Sequence, residues 1–375
     1  MATVNKQECP STGASSTEYS TCSSPPVTDF SSKGLYQRAQ SAYTVEHEDF
    51  LTRPDIRGRD ESEVEAEEKR RHVTPSLYKQ FRRTIREPLS EMLGSAILII
   101  IGDASVAQAL LSNYQMGNEM TINLAYGVGL TMGYLTAVSG GAAGHLNPAI
   151  TLTMCLFRRF SWRKLPIYVL AQLVGCGIGA ACVFGIYRSA TTAYDGGQRQ
   201  VTGPSRTAGI YSTYPVSFLD LPGRAMQEFF ATIILVFFVN AVACQASPHL
   251  PYKLPLEWHL VRALVLGFAL FGIGASLGWQ TGYAMNPARD FAPRLVSYMA
   301  GYGREVFSTA GHYFWIPIVM PCLGAITGQL LFDLIVYEGE HDNFVTNPAA
   351  AFRRVKKDLM GREKIGVTDI EMSFS

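Results

Sequence analysis

The chain has 375 residues, and its 32 basic and 31 acidic side chains leave a formal charge of +1. Of these 63 charges, 40 lie in residues 1–88 and 338–375, so the 249 residues between hold only 23. That is about one in eleven, against roughly a quarter in an average soluble domain, which excludes a water-soluble body of this size and points to a middle dissolved in lipid with a polar tail at each end. The near-zero balance argues against a nucleic-acid partner. The seven cysteines are scattered, and no Cys or Cys/His spacing suggests a zinc site or a disulfide framework. The first 30 residues lack the basic start and apolar run of a signal peptide.

Residues 1–68 are rich in Ser, Thr, Pro and acid, ending in DESEVEAEE at 60–68. Too few apolar side chains are present to offset the entropy of ordering, so this stretch is predicted to be disordered. Ser24-Pro25 and Thr74-Pro75 within and after it are minimal phosphoacceptor patterns that arise readily by chance. Residues 69–86 turn basic, with seven Lys and Arg.

Six apolar segments long enough to span a bilayer follow, at roughly 89–112, 121–141, 165–187, 226–246, 259–278 and 312–336. Most contain glycines or other small residues, which let membrane-embedded backbones approach closely. An even number of spans puts both ends on one side. Cationic clusters lie before the first span, between the second and third at Arg158, Arg159, Arg163 and Lys164, and after the sixth at Arg353, Arg354, Lys356 and Lys357. All three fall on the same side, which the distribution of positive charge assigns to the cytoplasm.

Two shorter apolar pieces, 147–156 and 286–298, each begin with Asn-Pro-Ala: Asn147, Pro148, Ala149 and Asn286, Pro287, Ala288. Glu91 precedes the first motif by 56 residues and Glu228 the second by 58, and the flanks SEMLGSAILII and QEFFATIILVF match. The chain therefore repeats itself, with three spans per half, so the halves face opposite ways. Inverted repeats with interrupted helices near the midplane mark a transport pathway. Asn is a good N-cap and Pro suits the first helical turn, so each motif starts a half-helix whose positive end points at the membrane centre. One Asn-Pro-Ala is a common loop tripeptide; two, one per half of a six-span chain, are specific.

On these residues the chain resembles the aquaporin superfamily of major intrinsic proteins, and within it the glycerol-conducting branch, with long tails similar to fungal members. The strings that carry the likeness are REPLSEMLGSAILIIIGDASVAQ (86–108), YGVGLTMG (126–133), GHLNPAIT (144–151), AGIYSTYP (208–215) and GIGASLGWQTGYAMNPARDFAPRL (272–295). The resemblance implies an all-α membrane protein: six transmembrane helices plus two re-entrant half-helices, an inverted repeat and an hourglass pore. It divides the chain into a cytoplasmic N-terminal tail 1–86, a channel domain 87–337 and a cytoplasmic C-terminal tail 338–375. It assigns Asn147 and Asn286 to the pore centre and Arg289 to the selectivity filter. Gly274, Tyr283 and Tyr126 complete that filter, although counting back without a gap from Asn147 would put Gly127 in place of Tyr126. Asp290 and Pro317 fit the glycerol-type pattern. Glu91, Glu228 and His145 are expected to brace the re-entrant loops rather than relay protons. Asp103 is expected to be no more than a polar group of a vestibule.

Arginine keeps its charge and offers several donors to hydroxyl oxygens, and Gly274 is expected to leave the width that a carbon backbone needs beside two aromatic rings. The expected function is passive passage of glycerol, water and other small neutral solutes, with protons and ions excluded. Two alternatives stay open: a channel mainly for water, peroxide or small acids, because both filter aromatics are Tyr, and a proton-coupled polyol transporter. No nucleophile with a matching base is apparent, so no catalytic residue, metal or cofactor is expected. The implied partners are the permeants, the lipid bilayer and three further copies in a homotetramer, with the plasma membrane as location.

Overall fold

The computed structural model describes residues 77–244, 256–337 and 347–360, and every regular element among them is helical. The acidic run 60–68, the phosphoacceptor pairs and the rest of the serine-rich stretch lie outside the described residues. Leu77–Leu111 forms α1, a 35-residue helix that absorbs the end of the basic block as well as the first apolar run. Glu119–Ser139 forms α2. Its start is set by a capping box, in which Asn118 Oδ1 accepts from the Thr121 amide at 3.1 Å and Thr121 Oγ1 accepts from the Asn118 amide at 2.8 Å. The first Asn-Pro-Ala opens α3, Pro148–Phe157. Leu165–Asp195 forms α4 and ends at Gly196, whose φ of 64° takes the left-handed turn that stops the helix.

The second half repeats the order. Leu221–Cys244 is α5, Leu256–Leu277 is α6 and Pro287–Ser297 is α7. A broken helix, α8 at Glu305–His312, leads into α9 at Ile316–Ile335. Five stretches are long and apolar enough to cross a membrane: most of α1, α4, α5 and α6, and the run Glu305–Ile335. The second expected span is α2, whose Thr, Asn and Gly residues make it less apolar than the others. Its 21 residues still reach about 31 Å at 1.5 Å each, enough for a hydrocarbon core.

Packing follows the repeat. α1 meets α2 and α4 as α5 meets α6 and α9, and the half-helices cross over, α7 against α4 and α3 against α9. Equivalent glycines permit these approaches: a Cβ on Gly175 would stand 2.1 Å from the Met92 carbonyl oxygen, and one on Gly324 2.4 Å from that of Phe229. The interior holds apolar clusters, but the outer surface differs from that of a soluble protein. Leu170, Val174 and Ile178 on α4 and Leu260, Leu264 and Phe268 on α6 are exposed, whereas Glu91, Gln172, Glu228, Asn240 and Gln329 are buried. Such a surface suits lipid.

Buried carboxylates pair with an arginine of each half-helix. Arg158, the C-cap of α3, donates to both oxygens of Asp333 on α9 at 2.5 and 3.0 Å and to Asn240 Oδ1 at 3.2 Å. On α7, Arg294 binds Asp290 Oδ1 through Nε and Nη2 at 2.9 and 2.8 Å, with both side chains fully buried. One element was not expected from the sequence. The cationic cluster after the sixth span lies on a helix, α10 at Pro348–Met360, and Asp358 from it accepts the Trp162 amide at 2.7 Å.

Candidate pore and selectivity filter

Leu146 and Met285, each just before an Asn-Pro-Ala, have positive φ values of 52° and 48°. Non-glycine residues rarely sit there, and strain of this kind persists only where the surroundings hold it. The holders are the two buried glutamates. Glu91 accepts the Gly144 amide on Oε2 at 3.0 Å and the Leu146 amide on Oε1 at 2.6 Å, with Gln172 Nε2 adding 2.9 Å. Glu228 accepts the Ala284 and Met285 amides at 3.1 and 2.9 Å and the Thr281 hydroxyl at 2.7 Å. Backbone that has left the helix at membrane depth thereby keeps its hydrogen bonds. His145 packs edge-on to Phe160, rings 4.8 Å apart, and its Nδ1 lies 3.2 Å from Thr151 Oγ1.

The turned backbone brings the half-helices tip to tip. Asn147 caps α3 by accepting the Ala149 amide at 2.9 Å and donates Nδ2 to the Met285 carbonyl at 2.8 Å. Asn286 caps α7 by accepting the Ala288 and Arg289 amides at 3.0 and 3.3 Å and donates to the Leu146 carbonyl at 2.7 Å. Pro148 and Pro287 occupy the first turns, where no amide is missed. Ala149 and Ala288 are wholly buried. Each Asn amide group has two protons and spends one across the repeat, leaving one for another acceptor. The positive ends of both helices converge there, which disfavours a cation.

A cavity of about 270 Å³ runs past both Asn and has Tyr126, Tyr283 and Arg289 in its wall. Tyr134, also in its wall, lies eight residues from Tyr126 on α2, so the cavity extends about 12 Å along that helix. The rings of Tyr126 and Tyr283 meet edge to face with centroids 6.1 Å apart. Arg289 donates from Nη2 to the Tyr126 hydroxyl at 2.8 Å and from Nη1 to the Tyr211 carbonyl at 3.5 Å, with Cζ 4.8 Å from the Tyr126 ring centre. Tyr126 thus joins Arg289, while Gly127 does not: a Cβ there would stand 2.5 Å from the Gly267 carbonyl oxygen, at the crossing of α2 and α6.

Gly274 differs from the sequence expectation. The space it leaves is not open width. A Cβ on it would lie 2.7 Å from Tyr283 Cζ and 2.7 Å from Asn123 Oδ1, so the phenol of Tyr283 fills the gap and donates to Asn123 at 2.6 Å. Asp290 Oδ2 accepts the Thr213 amide at 2.8 Å and its hydroxyl at 2.6 Å, fastening the AGIYSTYP loop to α7. That loop carries the Tyr211 carbonyl to Arg289.

Two side chains that the sequence reading left out of the filter contact the candidate filter residues. Asn123 holds Tyr283, and Asp103, fully buried on α1, accepts the Tyr126 hydroxyl proton at 2.7 Å. Asn123 was findable, since it lies three residues before Tyr126 on the same face of a helix.

Comparison with known proteins agrees with this architecture. The major intrinsic protein family profile matches residues 79–332. Among similar proteins are probable aquaglyceroporin-2 of Gibberella zeae, 43% identical over 74% of this chain and 80% of its own, and human aquaporin-9, 41% identical over 67% of this chain and 82% of its own. The X-ray structure of the aquaglyceroporin from Plasmodium falciparum superposes with a TM-score of 0.59 at 26% identity, covering 67% of this chain and 96% of that one. With more than half of its length matched by the family profile, this chain belongs to the major intrinsic protein family, whose members are membrane channels rather than enzymes.

Proposed function

We propose that the protein is a passive, bidirectional channel for glycerol, water and other small neutral solutes. The observation that carries this reading is the cavity wall, where a buried arginine and two aromatic rings line one cavity with a pair of Asn donors. A molecule with hydroxyls along one edge and carbon along the other matches such a wall. Relatives named aquaglyceroporins, similar over most of the chain, support the same solute class. Asn147, Asn286 and Arg289 supply donors, Tyr126 and Tyr283 the apolar side, and Glu91, Glu228, His145 and Asp290 the support.

The alternatives are disfavoured by the hydrogen bonds. A filter made polar by tyrosine would offer hydroxyl donors to the permeant, but Tyr126 gives its proton to Asp103 and Tyr283 to Asn123. A proton-coupled carrier would need an accessible acid at the midplane, but Glu91 and Glu228 are occupied by backbone amides. Channel domain 87–337 is flanked in this reading by cytoplasmic tails 1–86 and 338–375, in a homotetramer at the plasma membrane. Stopped-flow light scattering on proteoliposomes, comparing water, glycerol and larger polyols, tests the function. Glycerol flux no faster than in protein-free vesicles would overturn it.

A further inference from the structure

The four buried carboxylates near the pore are not alike. Glu91, Glu228 and Asp290 each take at least three donors, shared over both oxygens. Asp103 is as deeply buried, yet it takes one, from the Tyr126 hydroxyl, and its Oδ2 meets no donor among the described residues. A buried carboxylate with a single donor is costly to hold, so fold stability does not explain it. Its one contact leads to the filter.

With Asp103 ionised, and so an acceptor only, the direction of that contact is set. Arginine is a donor only, so the Tyr126 oxygen must accept from Arg289 Nη2 at 2.8 Å. The phenol has one proton, and Asp103 Oδ1 at 2.7 Å receives it. The proton is thereby kept from the cavity. The guanidinium has little else to hold it: Nη1 reaches the Tyr211 carbonyl only at 3.5 Å, and no carboxylate pairs directly with Arg289 among the described residues.

We propose that Asp103 is a positioning residue for solute selection: it holds the Tyr126 hydroxyl as an acceptor for Arg289, which keeps the guanidinium against the wall and leaves Nη1 for the permeant. This rests on the filter reading of Tyr126 and Arg289. Without the acid, the phenol proton turns toward Arg289 or the cavity, the guanidinium is less firmly tethered, and the wider solute meets the obstruction first.

The test compares the full chain and its Asp103→Ala, Asp103→Asn, Tyr126→Phe and Asp103→Ala/Tyr126→Phe variants in proteoliposomes at equal protein density. Asp103→Ala is expected to lower the glycerol-to-water permeability ratio by roughly threefold or more, the order set by weakening one hydrogen bond of a charged group. Asp103→Asn, whose amide oxygen still accepts, should retain most of the ratio. In the Tyr126→Phe background, Asp103→Ala should change nothing further, because the acid acts through that hydroxyl. The thermal unfolding midpoint of Asp103→Ala should equal or exceed that of the parent. An unchanged ratio, equal effects in both backgrounds, or a less stable variant that loses both fluxes in proportion or never reaches the membrane each overturns the proposal. Absence of glycerol flux in the parent would instead overturn the channel reading itself.

Discussion

Replacing Gly274 with Ala adds one methyl group where the structure has no place for it. The new Cβ would stand 2.7 Å from Tyr283 Cζ, 2.9 Å from its oxygen and 2.7 Å from Asn123 Oδ1. Carbon atoms rest at about 3.5–4.0 Å, so the phenol must retreat by about 0.8 Å or more. Its route away from α6 is toward Tyr126 and the cavity, and the 2.6 Å hydrogen bond to Asn123 is bent or lost on the way. Overpacking of this kind costs about 1–3 kcal/mol. If the cost falls on the passage of glycerol and not on that of water, the glycerol-to-water ratio drops by about five- to a hundredfold, at tenfold per 1.4 kcal/mol. The assay is stopped-flow light scattering on proteoliposomes with channel density matched by quantitative blotting. In a Tyr283→Ala background the same substitution should leave the ratio nearly unchanged, since the ring it displaces is gone. A ratio that stays constant in the parent background would refute the packing argument, as would a parallel loss of both fluxes.

Further outcomes follow from the same contacts. Glu91→Ala strips acceptors from the Gly144 and Leu146 amides and from Gln172; at about 1–3 kcal/mol for each buried donor left unpaired, the purified protein should unfold many degrees lower, and an unchanged midpoint would show that the loop holds itself. Asp333→Ala leaves Arg158 without its buried partner, a loss of roughly 3–5 kcal/mol by the usual cost of breaking such pairs, read as lower thermal stability in detergent and reduced yield. Vesicles that conduct glycerol should show no added proton leak, because the converging helix ends and Arg289 oppose a cation; a leak that scales with channel number contradicts the pore reading. Deleting residues 1–76, which precede the family match at 79–332, should leave basal glycerol flux intact, and flux at background from protein that reaches the membrane would show that the tail is needed.

Much of this protein is legible along the chain because it is written in local terms. Charge falls away over the middle 249 residues because lipid penalises it wherever it stands. Helix starts at Asn147 and Asn286 follow from capping and from proline geometry. The repeat is visible because Glu91 and Glu228 stand at matching distances from the two motifs, and the fold matches their carboxylates to matching amides. The extent of hydrophobicity is less informative for α2, whose Asn123, Gly127, Gly129, Thr131 and Gly133 face other parts of the bundle instead of lipid.

Other features depend on how helices turn about their axes and how side chains fill shared space, which spacing does not encode. Neighbours on a helix point about 100° apart, so choosing between Tyr126 and Gly127 required the rotation of α2. That rotation is set by the backbone approach of Gly127 to Gly267, residues 140 positions apart. The space beside Gly274 read as channel width, but Tyr283 reaches it from α7's approach loop and takes it, because a bulky ring with a hydrogen-bond partner at Asn123 packs there better than a void. By sequence Asp103 reads as no more than a polar group of a vestibule. Only the packing of α1 against α2 puts it 2.7 Å from the hydroxyl that holds Arg289, since a carboxylate's role is decided by which donor the tertiary fold delivers to it.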